Sequence, residues 1–176
     1  LGAAADAMGQ GVTQPGCRII AVDSAPAMVR RCRALIDESD NPTPIDIRCG
    51  DIRDTAIENA SMVVMNYTLQ FLPPADRDDM LRRIAEGLLP GGLLLLSEKV
   101  VHPEPRIEEL LQSLHLDFKR QHAYSELEIS RKRAALENVL IPDSVETHRA
   151  RLTSAGFTHT GVWLRHFNFV SMVGIR

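Results

Sequence analysis

Seven residues stand where their type and spacing allow chemistry. Asp23 closes the apolar run CRIIAVD, just before Ser24-Ala25-Pro26 and a stretch with helical spacing. A lone carboxylate at that point has two uses. With Ser24 and Pro26 it suits the start of a helix; at the carboxyl end of a parallel strand it accepts hydrogen bonds from ribose hydroxyls. Asp51 and Ile52 follow a second such run, IDIRCG, where Gly-Asp is equally an ordinary turn. Asn66 ends VVMN, and its amide can donate to a carboxylate and accept from an ammonium group, or form an Asx turn.

The last two positions lie further along, in AYSELEISRKRAALENVL. If Ser125 caps a helix with Glu128 closing an S-x-x-E box, then Ile129, Arg133, Leu136 and Leu140 project within about 60° of one another. Arg131 points nearly opposite and Lys132 to the side, so RKR is not one basic face. A guanidinium in an apolar stripe needs an anion, and its planar fork matches a carboxylate with two parallel hydrogen bonds. The alternative is an i,i+4 ion pair with Glu137, worth a few tenths of a kcal/mol. Tyr124 precedes the same helix and can staple its start.

The elements that position these residues alternate, which is the pattern of an α/β chain. The spacing predicts helices over Leu1–Gln10, Ala25–Ser39 and Ala75–Leu89, with strands over Arg18–Asp23, Ile45–Cys49 and Ser61–Asn66. Pro90-Gly91-Gly92 reads as a turn into a strand over Leu93–Glu98. Two helices, Glu104–Arg120 and Ser125–Val139, follow as an insertion over 104–139, then a helix over Ser144–Ala155 stopped by Gly156. Thr158–Arg165 and Phe167–Ile175 have almost no connection and should pair as an antiparallel hairpin. One domain over 1–176 is expected, its mostly parallel sheet ending in that hairpin.

Composition narrows the classes of function. With 44% hydrophobic and 24% charged residues the chain has enough apolar surface for a real core. A net charge of −3 and a pI of about 6.1 give no global attraction for a phosphate backbone, so direct nucleic-acid binding is not expected. No apolar run approaches the roughly 20 residues of a membrane span, and the opening LGAAADAMGQG lacks the basic-then-apolar order of a signal peptide. Cys17, Cys32 and Cys49 are odd in number and form no C-x-x-C pair, which suits reduced thiols in the cytoplasm; Cys17 and Cys49 read as small buried hydrophobes. His115, His122, His148 and His166 have no ligand spacing, suggest no metal, and read as surface or loop residues.

The order of acid, Gly-Asp-Ile, Asn and PGG at successive strand ends resembles a class I S-adenosylmethionine-dependent methyltransferase, a Rossmann-like fold. VDSAPAMVRRCR, GDIRD with AIENASMVVMNYTLQF, LLPGGLLLLSEK, HLDFKRQHAYSELEISRKRAALENVL and DSVETHRARLTSAGF together resemble the carboxy-S-adenosylmethionine synthase family over most of the chain. The YSELEISRKR block with TLQFL is the specific part. The resemblance implies that the family's N-terminal strand and Gly-rich motif lie upstream of Leu1.

It also implies roles. Asp23 with Ser24 takes the ribose, and Asp51 and Ile52 read adenine through a carboxylate and a backbone N–H. Asn66 meets the amino-acid end of S-adenosylmethionine. Arg133 holds the extra carboxylate of carboxy-S-adenosylmethionine, with the Tyr124 hydroxyl donating to it. The activity implied takes carbon dioxide from prephenate, which aromatises to phenylpyruvate, and attaches it to the deprotonated methyl as an ylide. The product then serves a partner enzyme that builds 5-carboxymethoxyuridine at the tRNA wobble position, and a homodimer is expected. An ordinary methyltransferase would share Asp23, Asp51 and Asn66 without needing Arg133. A non-catalytic subunit would bind the cofactor only, and the hairpin speaks against a nicotinamide dehydrogenase.

Overall fold

The computed structural model describes residues 2–136 and 139–176, with the backbone alone of Arg133. The chain divides into two compact units, Leu1–Ala56 and Ile57–Arg176.

In the first unit, α1 (Ala3–Gly11), β1 (Ile19–Asp23), α2 (Pro26–Asp37) and β2 (Ile45–Cys49) follow one another. The strands β1 and β2 pair in parallel from Ile19↔Ile45 to Asp23↔Cys49, so both end at the same edge of the unit. Pro26 opens α2, where a missing N–H costs nothing. Val29 and Cys32, one turn apart on α2, are buried. The thiols therefore sort differently from the sequence reading: Cys32 is the buried one, Cys17 is half-buried, and Cys49, the last residue of its strand, is exposed. The loop before β2 is tied to α1 by Asp6, which accepts from the Ser39 hydroxyl at 2.5 Å and from the Asn41 amide at 3.0 Å.

The second unit contains β3 (Ala60–Asn66), α3 (Pro74–Gly87), β4 (Leu88–Lys99), α4 (Pro105–Gln121), α5 (Glu126–Leu136), α6 (Val145–Ser154), β5 (His159–His166) and β6 (Phe169–Ile175). Its sheet has the order β3-β4-β6-β5. β3 and β4 are parallel, and the C-terminal hairpin turns back so that β6, the last strand in sequence, lies between β4 and β5. The hairpin turns through Phe167 and Asn168, with Phe167 in the left-handed region at φ 53°. The sheet's third position is thus filled by the last strand and its fourth by the one before it. β4 also starts earlier than the sequence suggested: Leu88 already pairs with Ala60, a register shift follows before Met62↔Leu93, and Gly91 supplies the positive φ of 77° that the irregularity requires.

From Gly92 to the end of β4, and on into Val100, the burial alternates strictly. Leu94, Leu96, Glu98 and Val100 are buried on one face, while Leu93, Leu95, Ser97 and Lys99 are half-covered on the other. α3 packs against β4, and α6 against α3 and β5, in a core where Leu81, Ile84 and Leu152 are fully enclosed. One guanidinium crosses it. Arg77, 1% exposed, donates from Nε to the Leu72 carbonyl and from Nη2 to the Gln70 carbonyl, each at 3.1 Å, and pairs through Nη1 with Asp143. Asp143 is shared with Arg151, whose Nε reaches Asp78 at 2.7 Å. Removing Arg77 strands the Leu72 carbonyl, leaves the Gln70 carbonyl with the Ile141 N–H alone, and takes from the half-buried Asp143 one of its two guanidinium partners. Arg77→Met should therefore lower unfolding free energy by about 3–5 kcal/mol in urea titrations; a loss below about 1 kcal/mol would mean that this centre is not structural.

Candidate functional site

The acidic strand ends of the first unit lie side by side. The Asp23 carbonyl accepts from the Gly50 N–H at 3.1 Å, which sets Asp23 and Asp51 on neighbouring strand termini. Asp23 is half-buried and its Oδ1 accepts from the Ala25 N–H at 2.8 Å, just ahead of α2. The other carboxylate oxygen has no partner among the described residues. Capping and ligand binding are thus both open to it, one oxygen for each. Ser24 beside it is exposed.

Asp51 is more occupied. It starts a 3₁₀ turn over Ile52–Asp54, accepting from the Arg53 N–H at 2.8 Å, and the Arg53 guanidinium lies across both oxygens with Nη2 at 2.6 Å. Those bonds hold its carboxyl down at about 2. The carboxylate is ionised at any ordinary pH, and an incoming amine shares it with Arg53. The Ile52 N–H, the first of the turn, has no acceptor within it.

In the second unit Asn66 ends β3 beside Ser97 of β4. Its side chain is exposed and unpartnered among the described residues, which leaves the amide free to donate and accept. The segment leaving β3 after Asn66 is tightly held. The Tyr67 N–H donates to the Ser97 carbonyl at 2.7 Å with φ 53°, and the ring meets Phe169 edge-on at 5.7 Å. Then Thr68, Leu69 and Gln70 donate three successive N–H groups, at 3.1, 2.9 and 3.2 Å, to the buried Glu98 carboxylate. Gln70 closes the arrangement, its Oε1 accepting from the Lys99 N–H at 2.9 Å.

Arg77 and Asp143 were not among the residues the sequence singled out, and Glu98 stood out only with Lys99, Lys119 and Arg120 as side chains that could line the donor pocket, a role the sequence does not show. A signal for Glu98 was there: in LLLLSEK it has the same parity as Leu94 and Leu96, so alternation alone puts it on the buried face. Burial outweighs the three N–H donors and pushes its carboxyl up to about 7.

The S-x-x-E box before α5 forms as the spacing implied. The Ser125 N–H and hydroxyl donate to Glu128 at 2.9 and 2.7 Å, and the Glu128 N–H donates back to the hydroxyl at 3.3 Å. Ile129 is buried and Leu136 and Leu140 are half-buried, on the stripe that Arg133 shares by position. The Arg133 side chain and its alternative partner Glu137 lie outside the described residues. Tyr124 is half exposed, its N–H donating to the Lys119 carbonyl at 3.2 Å.

Two histidines correct the sequence reading. His148 is 1% exposed inside α6, neither ring nitrogen has a partner among the described residues, and burial holds it neutral, down at about 4. His115 is half-buried against Phe167 and Phe169, with ring centroids at 5.9 and 5.0 Å. Both lie on helices whose polar sequence hid the packing. No group of three or more His, Cys, Asp or Glu that could hold a metal occurs among the described residues.

Comparison with known proteins gives first the class. A family model described as a methyltransferase domain matches residues 2–92. Among solved structures, the S-adenosylmethionine-dependent methyltransferase SibL in its apo form superposes with a TM-score of 0.61 at 18% identity, over 92% of this chain and 44% of that one. Human N-acetylserotonin methyltransferase in complex with SAM gives 0.59 at 16% identity, over 92% and 41%. The fold is that of S-adenosylmethionine-dependent methyltransferases.

Curated relatives then give the family. The carboxy-S-adenosyl-L-methionine synthases of Klebsiella pneumoniae (strain 342) and Escherichia coli (strain K12) are each 54% identical over 176 residues, all of this chain and 71% of theirs. The chain belongs to the carboxy-S-adenosyl-L-methionine synthase family.

The raised carboxyl of Glu98 has a measurable consequence. Unfolded, the group titrates near 4.5; folded, near 7, so the fold binds a proton that the open chain has lost. Its contribution is fully present below about pH 4.5 and is lost as pH rises through 7. His148 runs oppositely, its contribution present above 6.5 and lost as pH falls through 4. In urea unfolding, the difference in stability between the protein and its Glu98→Gln variant should shift against the unsubstituted protein from pH 5 to 8. A difference that does not change with pH would contradict the raised value.

Proposed function

We propose that this protein makes carboxy-S-adenosyl-L-methionine from S-adenosylmethionine and prephenate. The observation that carries this reading is the 54% identity, over all 176 residues, to synthases of that name. In this reading the open oxygen of Asp23, with Ser24, takes the ribose hydroxyls, and Asp51 and the Ile52 N–H take the adenine edge. The free amide of Asn66 takes the amino-acid end. These donor and acceptor types fit the ligand: a carboxylate oxygen for hydroxyls that donate, and an amide for a group with both an ammonium and a carboxylate.

S-adenosylmethionine supplies a methyl group made acidic by the adjacent sulfonium. The overall change balances as S-adenosylmethionine plus prephenate giving carboxy-S-adenosylmethionine, phenylpyruvate and water. In prephenate the bond from ring to carboxylate breaks, its electrons aromatise the ring and expel the ring hydroxyl, and the methyl proton leaves with that hydroxyl as water. Arg133, with Tyr124, orients the carboxylate before transfer and holds it afterwards, an electrostatic role set by position rather than by proton transfer.

The product goes on to a tRNA-modifying enzyme, and the chain itself, at net charge −3, needs no contact with RNA. A homodimer is supported by the apolar side chains that α4 leaves exposed at Ile107, Leu110, Leu114 and Phe118, and by Trp163, 63% exposed on β5. No helix among the described residues is long and apolar enough to cross a membrane, and the reading places the protein in the cytoplasm.

The test is the mass spectrum of whatever small molecule the purified protein releases on denaturation after incubation with prephenate. S-adenosylmethionine carrying one added carboxyl group supports the reading, and Arg133→Lys should lower the yield by about tenfold or more. Unmodified S-adenosylmethionine after that incubation would overturn it in favour of an ordinary methyltransferase or a binding subunit.

A further inference from the structure

The chain has three lysines against seventeen arginines, and all three bear on one histidine. His115 of α4 lies edge-on to the Phe169 ring at 5.0 Å. Phe169 is the cross-strand partner of Lys99 where β4 meets β6. Lys119 follows His115 by one turn of α4, and Lys132 comes from α5. Burial and the positive charges of Lys119, Lys99, His166 and Lys132 together hold His115 down at about 4. Lys119 is itself lowered, by burial first and then by Lys132 and Lys99.

Among the described residues no carboxylate pairs with these lysines, whereas Arg48, Arg77, Arg82, Arg120 and Arg151 all pair with Asp or Glu. Lys99 and Lys119 are each half-buried beside the His115–Phe169 pair, and the exposed Lys132 adds its charge from α5. Like charges there repel and lose hydration, a cost that an anion offsets. The wall beside them is aromatic: Phe169 carries Tyr67 edge-on at 5.7 Å, and Tyr67 follows Asn66 directly. Lysines beside an aromatic wall, with Tyr67 one residue from the proposed cofactor end of β3, suit a carboxylate carried on the side chain of an unsaturated ring.

The geometry points to Lys99, Lys119 and Lys132 as the anchor for the carboxylate that the ring-bearing donor keeps after transfer, with its ring against Tyr67 and Phe169. This assignment rests on the reading of the protein as a synthase using such a donor. It also divides the labour within α5 and its neighbours: Arg133 attends to the carboxyl group that moves, and the lysines to the one that stays. Flexible ammonium groups suit that second task, since anchoring requires charge more than a fixed planar fork.

Steady-state kinetics and calorimetry on the whole protein test it. In Lys119→Gln and Lys99→Gln the KM for prephenate should rise about tenfold or more, with kcat and the KM for S-adenosylmethionine each changed less than about threefold. Lys119→Arg should recover part of the loss, and no variant should have a Tm below that of the unsubstituted protein. Phenylpyruvate, which keeps ring and carboxylate, should bind, and Lys119→Gln should weaken it about tenfold; phenylacetone, the same ring without the carboxylate, should not bind. An unchanged KM for prephenate in the Lys99→Gln/Lys119→Gln double variant would overturn the assignment, as would an equal rise in the KM for S-adenosylmethionine. So would lysine-dependent binding of a single-stranded RNA oligonucleotide with no effect on phenylpyruvate. If the unsubstituted protein makes no carboxylated product from prephenate, the synthase reading fails by itself, and phenylpyruvate binding still decides whether the lysines hold a ring-bearing carboxylate.

Discussion

Three backbone N–H groups in a row, from Thr68, Leu69 and Gln70, are satisfied by one carboxylate that solvent does not reach. Without Glu98 the chain leaving β3 would carry orphaned donors into the core, each costing about 1–3 kcal/mol. With it, the turn is closed from β4, the strand beside β3. Glu98 thereby fixes the direction in which Asn66 and Tyr67 leave the sheet. The Gln70 and Leu72 carbonyls on the far side of the turn are taken by Arg77, and Arg77 by Asp143, so the segment is held at both ends by charge buried in the second unit. Such a centre is a poor source of net stability but a strong constraint on conformation.

The same constraint explains what was legible in the sequence. Period-2 and period-3.6 patterns located the strands and helices to within a few residues, the early start of β4 excepted, because burial on one face writes itself into apolar spacing. The S-x-x-E box at Ser125 and Glu128 was readable because its partners are three residues apart. Glu98 and Arg77 act across about thirty and sixty-six residues, to Leu69 and to Asp143, and long-range polar partners leave no local period. His148 was misplaced for a related reason: α6 has a polar sequence, and only the fold shows that its buried side includes an imidazole. Nor could spacing reveal that β6 lies between β4 and β5, since a hairpin docks on either of its edges without altering its own pattern.

For the candidate site the division is similar. Strand ends are local features, so Asp23, Asp51 and Asn66 stood out, and their surroundings then separate them. Asp23 keeps one oxygen open, Asn66 keeps its whole amide, and Asp51 is already bridged by Arg53. Lys99 and Lys119 were legible as residues that could line the donor pocket, with no spacing to join them or to bring in Lys132. Their nearness to His115 comes from β4, α4 and α5, an arrangement that tertiary structure alone supplies.

The central claim, that Glu98 acts on the ligand through the placing of Asn66, is tested most directly by a double-mutant cycle read as the Kd for S-adenosylmethionine. The four proteins are the unsubstituted chain, Glu98→Gln, Asn66→Ala and the combination. The account predicts that Glu98→Gln weakens binding by about fivefold or more when Asn66 is present and has no further effect once Asn66→Ala has been made. Losses that simply add would show that Glu98 and Asn66 act independently, and would contradict the account.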